Sequence, residues 1–368
     1  MKIRKIFAAI AAAAMAVSAT ACASSTNSSS AADSSAADSS AADSSTATAD
    51  AASTADASSA ADAADDSSAA EIPADKVYNI GICQLVQHEA LDAATKGFKD
   101  VLTEKLGADH VKFDEQNANG ESTNCTTICT GFAASGVDLI LANATGALQA
   151  ASAATATIPI LGTSVTDYAT ALSIDDWTGA TGTNISGTSD LAPIDEQAKM
   201  LLEMFPDVKQ VGILYCSAEA NSKYQATLFA NALAEAGVAC KEYSAADTNE
   251  ISTVTTTAIG ECDVLYIPTD NTMASSTETI KNIVVPAGIP DIAGEEGICR
   301  GCGVATLSIS YEDLGRATGE MAYEILVKGA DVSTMDVRFA PNVTKKYNAA
   351  ICAELGVTAP EGYEAIAE

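Results

Sequence analysis

The sequence predicts an α/β protein with two lobes of parallel sheet hinged about a cleft, on three observations. Short apolar runs recur, each followed by a polar loop and then by a stretch with apolar residues at helical spacing. Val137-Asp-Leu-Ile-Leu-Ala142 is apolar almost throughout, as a strand covered on both faces must be. The pattern also occurs twice: the segments around Val211 and Val264 are counterparts of those around Val77 and Val137.

The stretch Val77 to Lys99 sets the repeating unit. Val77, Ile80 and Ile82 read as a buried strand, and Cys83 to Glu89 as a polar loop. Ala90 to Leu106 reads as a helix with Leu91, Ala94, Phe98, Val101 and Leu102 on one stripe. His110 to Asp114 is a second strand, Asn117 to Glu121 a turn, and Ser122 to Ser135 a helix. Val137 to Ala142 is a strand that ends in the loop Asn143 to Gly146, and Ala147 to Ala156 a helix. Ile158 to Gly162 is a strand that ends in Thr163 to Asp167. Repeated β-α units in register make right-handed crossovers between parallel strands.

Thr181 to Gly187 reads as a loop crossing to the second lobe. There the helices are Ile194 to Phe205, Lys223 to Ala236, Glu250 to Ile259 and Thr277 to Val285. The strands are Val211 to Tyr215, Ala239 to Tyr243, Val264 to Pro268 and Ile289 to Gly294. Val304 to Ile309 is β-rich, Tyr311 to Val327 helical, Val332 to Ala340 extended and Tyr347 to Leu355 a closing helix. The first lobe is expected from 72–185 with about 310–330, the second from 186–309 with about 331–368.

The first 71 residues have a different character. Residues 1–21 carry Lys2, Arg4 and Lys5, then the apolar run Ile6 to Val17, then small residues, which is the pattern of a secretion signal. Ala19-Thr-Ala-Cys22 resembles the lipobox of bacterial lipoproteins, with lipidation expected at Cys22, although the usual box carries Leu where Ala19 stands. A plain secretory signal is the alternative. Residues 22–71 are almost wholly Ser, Ala, Asp and Thr, which bury too little apolar area to offset ordering entropy, so a flexible tether is expected. The formal charge is −30, with eight Asp and no Lys or Arg from Ala23 to Ala70. The absence of a basic stripe speaks against nucleic acid as a partner.

Ten cysteines include nine besides Cys22. That odd number cannot pair completely, and Cys83, Cys216, Cys262 and Cys352 stand in apolar context as small core residues do. Cys299-Arg-Gly-Cys302 is a lone CxxC without a second pair at metal spacing, so no metal site is expected. Free thiols or a local disulfide are favoured there over a redox motif.

In open α/β sheets ligands sit at the carboxyl ends of strands. The residues so placed are Gln84, Gln87, His88, Thr145, Ser164, Asp167, Asn221, Ser222, Asp270, Asn271, Glu295 and Glu296. Helix N-termini after Thr145, Ser164 and Asn221 suit a carboxylate, and Asp270 with Glu295 or Glu296 suits an ammonium, so a zwitterionic amino acid would satisfy both. Each Ser, Thr, Asn and Asp has the simpler reading of a helix cap. An enzyme is the competing class, but no GxSxG, HExxH, GxxxxGK[ST] or strand-anchored GxGxxG occurs. His88 and His110 are the only histidines, and no nucleophile is matched to His88.

Gln84-Leu-Val-Gln-His88-Glu-Ala-Leu-Asp92, Asn117-Ala-Asn-Gly120, Ala144-Thr145, Val165-Thr-Asp167, Asn184-Ile-Ser-Gly187, Asn221-Ser222, Pro268-Thr-Asp-Asn-Thr272 and Tyr311-Glu-Asp-Leu-Gly-Arg316 occur in this order. Together they resemble the ABC transporter substrate-binding family that includes tryptophan and tyrosine importer lipoproteins. The resemblance runs from Val77 to about Leu355. It implies a type I periplasmic-binding-protein fold, with two Rossmann-like lobes and three crossings. It implies a monomer outside the cytoplasm, held to the membrane by its lipid, that delivers a small molecule to a permease driven by a cytoplasmic ATPase. No cofactor is implied. The ligand would meet Gln84 to Leu91, Thr145, Ser164 to Asp167, Asn221 and Asp270-Asn271. Aromatic members of the wall would come from Tyr168, Trp177, Tyr215 and Tyr311, each of which also suits core packing. Signalling to a membrane receptor, or binding of another solute such as a sugar, is the alternative role.

Overall fold

The computed structural model describes residues 75–340, 342–359 and 361–367. The expected signal segment, the lipidation at Cys22 and the tether lie outside the described residues.

Chain order begins with β1 (Tyr78–Gln84), α1 (Glu89–Leu106), β2 (Val111–Asn117), α2 (Ser122–Ser135), β3 (Leu139–Asn143), α3 (Thr145–Ala154), β4 (Ile160–Val165), α4 (Tyr168–Leu172) and β5 (Ile185–Ser189). Then follow α5 (Ile194–Met204), β6 (Gln210–Cys216), α6 (Ala220–Glu235), β7 (Ala239–Ala245), α7 (Ile251–Ile259), β8 (Val264–Ile267), α8 (Asn271–Ala274), α9 (Thr277–Ala287), β9 (Asp291–Ala293), α10 (Glu296–Gly301) and β10 (Ala305–Ile309). The chain ends with α11 (Tyr311–Leu326), β11 (Arg338–Phe339), β12 (Val343–Tyr347), α12 (Ala349–Leu355) and β13 (Glu364–Ala365).

Two sheets result. One has the order β11-β5-β4-β3-β1-β2 and is parallel throughout; the other has the order β13-β12-β10-β9-β8-β6-β7, with β12 antiparallel to β10. The central strands β3, β4, β8 and β10 are buried along their whole length, which is why they read as unbroken apolar or small-residue runs. The chain passes between the sheets after β5, after β10 and after β11.

Two expectations need correction. Thr181 to Gly187 is not simply a crossing loop, because β5 (Ile185–Ser189) is a buried strand of the first sheet. Its small hydroxyl residues look loop-like in sequence, yet they suit a strand packed under a helix. Thr188 Oγ1 lies 3.2 Å from Thr163 Oγ1 and 2.8 Å from Thr318 Oγ1. A Cβ at Gly187 would stand 2.0 Å from the Gly162 carbonyl, so only glycine lets β4 and β5 approach there. The first lobe therefore continues past residue 185. It also takes back β11, which the expected division had placed in the second lobe.

Helix α11 returns to the first lobe and packs along α1 backbone to backbone, through Gly97, Gly315 and Gly319. All nine described cysteines are free thiols, and eight of them are buried.

Candidate functional site

The loops at the carboxyl ends of the two sheets face one another across a cleft. From the first lobe, His88, Leu91, Ser164 and Thr166 line a narrow space of about 10 Å3. Asn221, Thr269, Asp270, Asn271, Ala274 and Glu295 line it from the second, and Asp190 and Tyr311 from the crossing segments. A wider polar part of the same cleft adjoins it at Asn221 and Asn271, with Thr145 on its wall.

Seven of the sequence-expected residues thus line the inner space, namely His88, Leu91, Ser164, Asn221, Asp270, Asn271 and Glu295, and Thr145 lines the outer part. Three do not. Gln84 is locked inside the first lobe: its Nε2 donates to Asp92 at 2.7 Å and its Oε1 accepts from Thr95 at 2.7 Å. Asp167 caps α4 through the Thr170 N–H at 2.7 Å. Ser222 is fully buried and accepts from the Asn221 amide at 3.2 Å. Gln87 is exposed on an outer groove, and Glu296 pairs with Arg300. Among the four aromatics, only Tyr311 reaches the space. Tyr168 donates to the Thr188 carbonyl, Tyr215 to Glu242, and Trp177 is 36% exposed.

Asp190, Thr269 and Ala274 are not marked by the sequence, whereas Thr166 falls within the expected loop Ser164 to Asp167. That loop brings Ser164 and Thr166 to the space while Asp167 turns to cap α4. Asp190 follows the strand that sequence reading took for a loop, so nothing marked it as inward.

The geometry follows from local rules. The His88 side chain makes no cap bond at the start of α1, and its Nε2 instead meets Asn271 Oδ1 at 3.1 Å across the cleft. The Asn271 amide nitrogen faces Glu219 Oε2 at 2.6 Å, which turns its oxygen toward His88, so the imidazole must donate. Glu219 also accepts from Asn271 N at 3.1 Å, Thr272 N at 2.8 Å and Thr272 Oγ1 at 2.7 Å, filling the N-terminus of α8. Burial pushes the His88 pKa down, against the nearby carboxylates that raise it, and so favours the neutral ring.

Ser164 holds φ of 54° and Ala144, just before α3, φ of 90°. Such left-handed backbone at non-glycine residues costs about 1–3 kcal/mol each and clusters at functional sites. Both positions aim a hydroxyl at the cleft. Ser164 Oγ and Thr145 Oγ1 belong to residues only 6% and 4% exposed, and neither has a hydrogen-bond partner among the described residues.

Three carboxyl groups line the same inner space as Ser164. Asp190, 3% exposed, accepts from Thr166 Oγ1 at 2.9 Å and from Tyr311 Oη at 2.9 Å. Asp270 accepts from Cys216 N at 2.6 Å and Met273 N at 2.8 Å, and Glu295 caps α10 through Gly297 N at 2.6 Å and Ile298 N at 2.5 Å. Burial, aided by the Glu219 charge, pushes Asp270 up to about 8; burial pushes Glu295 up to about 7 and also raises Asp190. No Lys or Arg stands among the lining residues.

Residues 79–368 match the family described as ABC transporter substrate binding protein. The chain belongs to that family. It is a substrate-binding protein rather than an enzyme, and such proteins work outside the cytoplasm. Among the described residues no helix is long and apolar enough to cross a membrane.

The chain is similar to a tyrosine-binding protein of Clostridioides difficile (strain R20291), 36% identical over 267 residues that cover 71% of this chain and 77% of that protein. It is similar to the ABC domain of Streptococcus pneumoniae in complex with L-Trp, with a TM-score of 0.74 and 32% identity over 78% of this chain and 97% of that one. It also resembles the ligand-free, open structure of a substrate-binding protein with adhesive properties from Clostridium difficile. There the TM-score is 0.61 and the identity 36%, over 79% of this chain and 99% of that one.

Proposed function

We propose that this protein captures an α-amino acid, aromatic in its side chain, between the lobes and hands it to an ABC permease powered by a cytoplasmic ATPase. One observation carries the ligand class: buried carboxyl groups without a cation share the inner space with the unpartnered Ser164 hydroxyl, and the unpartnered Thr145 hydroxyl lies on the wall of the adjoining part. A ligand bearing both an ammonium and a carboxylate complements the two sets at once. The ammonium sits among Asp190, Asp270 and Glu295. The carboxylate takes the Ser164 and Thr145 hydroxyls, at the α3 N-terminus, and Leu91 and Tyr311 supply apolar wall. The Trp- and tyrosine-binding relatives support an aromatic side chain.

The protein does no chemistry on its ligand. The open form binds on one lobe, closure adds contacts from the other and excludes water, and the ligand shifts the population toward the closed form. We read Cys22 as the lipidated residue that holds the monomer at the membrane; Cys22→Ser should abolish incorporation of a labelled fatty acid.

The decisive experiment is a thermal-shift panel of the twenty amino acids, with dipeptides and simple sugars beside them, on the full chain. A ligand of the folded state adds about 2.7 kcal/mol of stability at a hundredfold over its Kd. Shifts with Trp, Tyr or Phe that vanish in Asp190→Asn support the reading. A shift with sugars alone sinks the amino-acid assignment and leaves the substrate-binding role standing.

A further inference from the structure

The Cys299-Arg-Gly-Cys302 turn has a use that its thiols do not explain. Both cysteines are fully buried, and burial beside Asp291 and Glu295 pushes their pKa values well above the ordinary thiol range, so neither is a ready nucleophile. Between them Arg300 points outward and reaches the other lobe. Its Nε lies 2.9 Å from Glu89 Oε2 and its Nη2 2.9 Å from Glu89 Oε1, a two-pronged ion pair across the cleft mouth.

The two partners are held very differently. Arg300 is anchored within the second lobe. Glu296 Oε1 accepts from its Nη2 at 2.9 Å, and the Ala367 carbonyl accepts from Nη1. The Asn348 amide fixes the turn through the Cys299 carbonyl at 3.1 Å and the Arg300 carbonyl at 2.8 Å. Arg300 therefore keeps its place whether or not the lobes meet. Glu89 opens α1 next to His88, and among the described residues Arg300 is its one charged partner. Neither Glu89 nor Arg300 lines the inner space.

We propose that Glu89 and Arg300 form a clasp that holds the lobes closed and sets how tightly ligand is retained without touching it. Apparent affinity scales with the fraction of molecules in the binding-competent form, so a clasp that favours closure lowers Kd and slows release. Its strength is bounded by exposure. The side chains are 36% and 51% exposed, and half-exposed pairs change equilibria by about two- to fivefold.

The test titrates L-tyrosine and L-tryptophan into the full chain and into Glu89→Gln, Arg300→Gln and the double variant. The expected result is a Kd raised about two- to fivefold in Glu89→Gln, chiefly through faster dissociation. The double variant should be no weaker than the worse single one, and the gap from wild type should narrow near 0.5 M salt, where the screening length falls to about 4 Å. An unchanged Kd in Glu89→Gln, or singles whose effects add in the double, overturns the clasp. This arm rests on the amino-acid reading above. If wild type binds neither compound, that reading falls and small-angle scattering decides the clasp instead: wild type must be more compact than Glu89→Gln, and identical profiles refute it.

Discussion

Gly315→Ala tests the packing that places α1, and intrinsic propensity and packing disagree on its sign. In an isolated helix alanine is better than glycine by about 1 kcal/mol, so propensity alone makes this a stabilising change. The structure says otherwise. A Cβ at Gly315 would lie 2.0 Å from the Ala94 carbonyl oxygen and 2.7 Å from its carbon, where ordinary contact begins near 3.4 Å. The obstacle is backbone, which cannot rotate away. Gly97 and Gly319 make the same approach one turn to either side, at 2.2 Å from the Glu312 carbonyl and 2.8 Å from Val101 Cβ, so α1 and α11 cannot pivot around the new methyl. The helices must part, and overpacking of this kind costs about 1–3 kcal/mol. With the upper end expected for a backbone clash, the net loss is about 2 kcal/mol after the propensity gain. Urea unfolding of the full chain, read by far-UV circular dichroism, measures it. Gly131→Ala is the control: that glycine lies in α2, is exposed, and has nothing within 4 Å of an added Cβ, so it should gain about 0.5–1 kcal/mol. Gly315→Ala as stable as wild type, or more so, would refute the close-packed helix pair.

Tyr311→Phe removes one of the two donors to Asp190 and should weaken amino-acid binding by about tenfold with little loss of fold, checked by calorimetric titration beside a melting curve. Because Asp270 and Glu295 are held up to about 8 and about 7, an arriving ammonium should ionise them and expel about one proton at pH 7; the apparent binding enthalpy should then differ between phosphate and Tris buffers. Asp291 is fully buried, has no N–H or hydroxyl donor to either oxygen among the described residues and only the Cys302 thiol beside it, and burial pushes it up to about 7. A carboxyl raised this way favours the folded state while protonated, so its stability contribution is present below the unfolded pKa and is lost as pH climbs from about 4 to 7. Asp291→Asn should therefore be more stable than wild type at pH 8 by up to about 4 kcal/mol, with the advantage gone near pH 4, in denaturant titrations at both pH values.

Much of the fold was legible because parallel strands covered on both faces leave apolar runs, and β1, β3, β6 and β8 all carry one. Strand β5 was not, since Ile-Ser-Gly-Thr-Ser hides a buried strand behind hydroxyls whose partners lie 25 and 130 residues away. In the site, placement at strand ends brings seven of the expected residues to one space, because topology dictates where those loops meet. It could not separate Asn221, which faces the cleft, from Ser222 beside it, nor tell that Gln84 turns inward to Thr95. Those choices depend on side-chain direction and on partners far apart in sequence. Asp190 was hidden for the same reason as β5, and Glu219, which orients Asn271, looked like any solvated loop carboxylate.

The first sheet has a consequence for how the polypeptide reaches its final form. Its edge strand β11 and the covering helix α11 come from residues 311–339, after the whole second sheet except β12 and β13 has been laid down. As the chain emerges from the ribosome, the early lobe waits with Phe98, Leu102 and the glycine-lined side of α1 uncovered until nearly the last tenth of the sequence is available. The second lobe must assemble beside an unfinished neighbour. Pairings this distant make for slow folding and long exposure of sticky surface. A truncation ending before Tyr311 would leave the first lobe without its lid, so neither half of this molecule can be obtained by cutting the chain once.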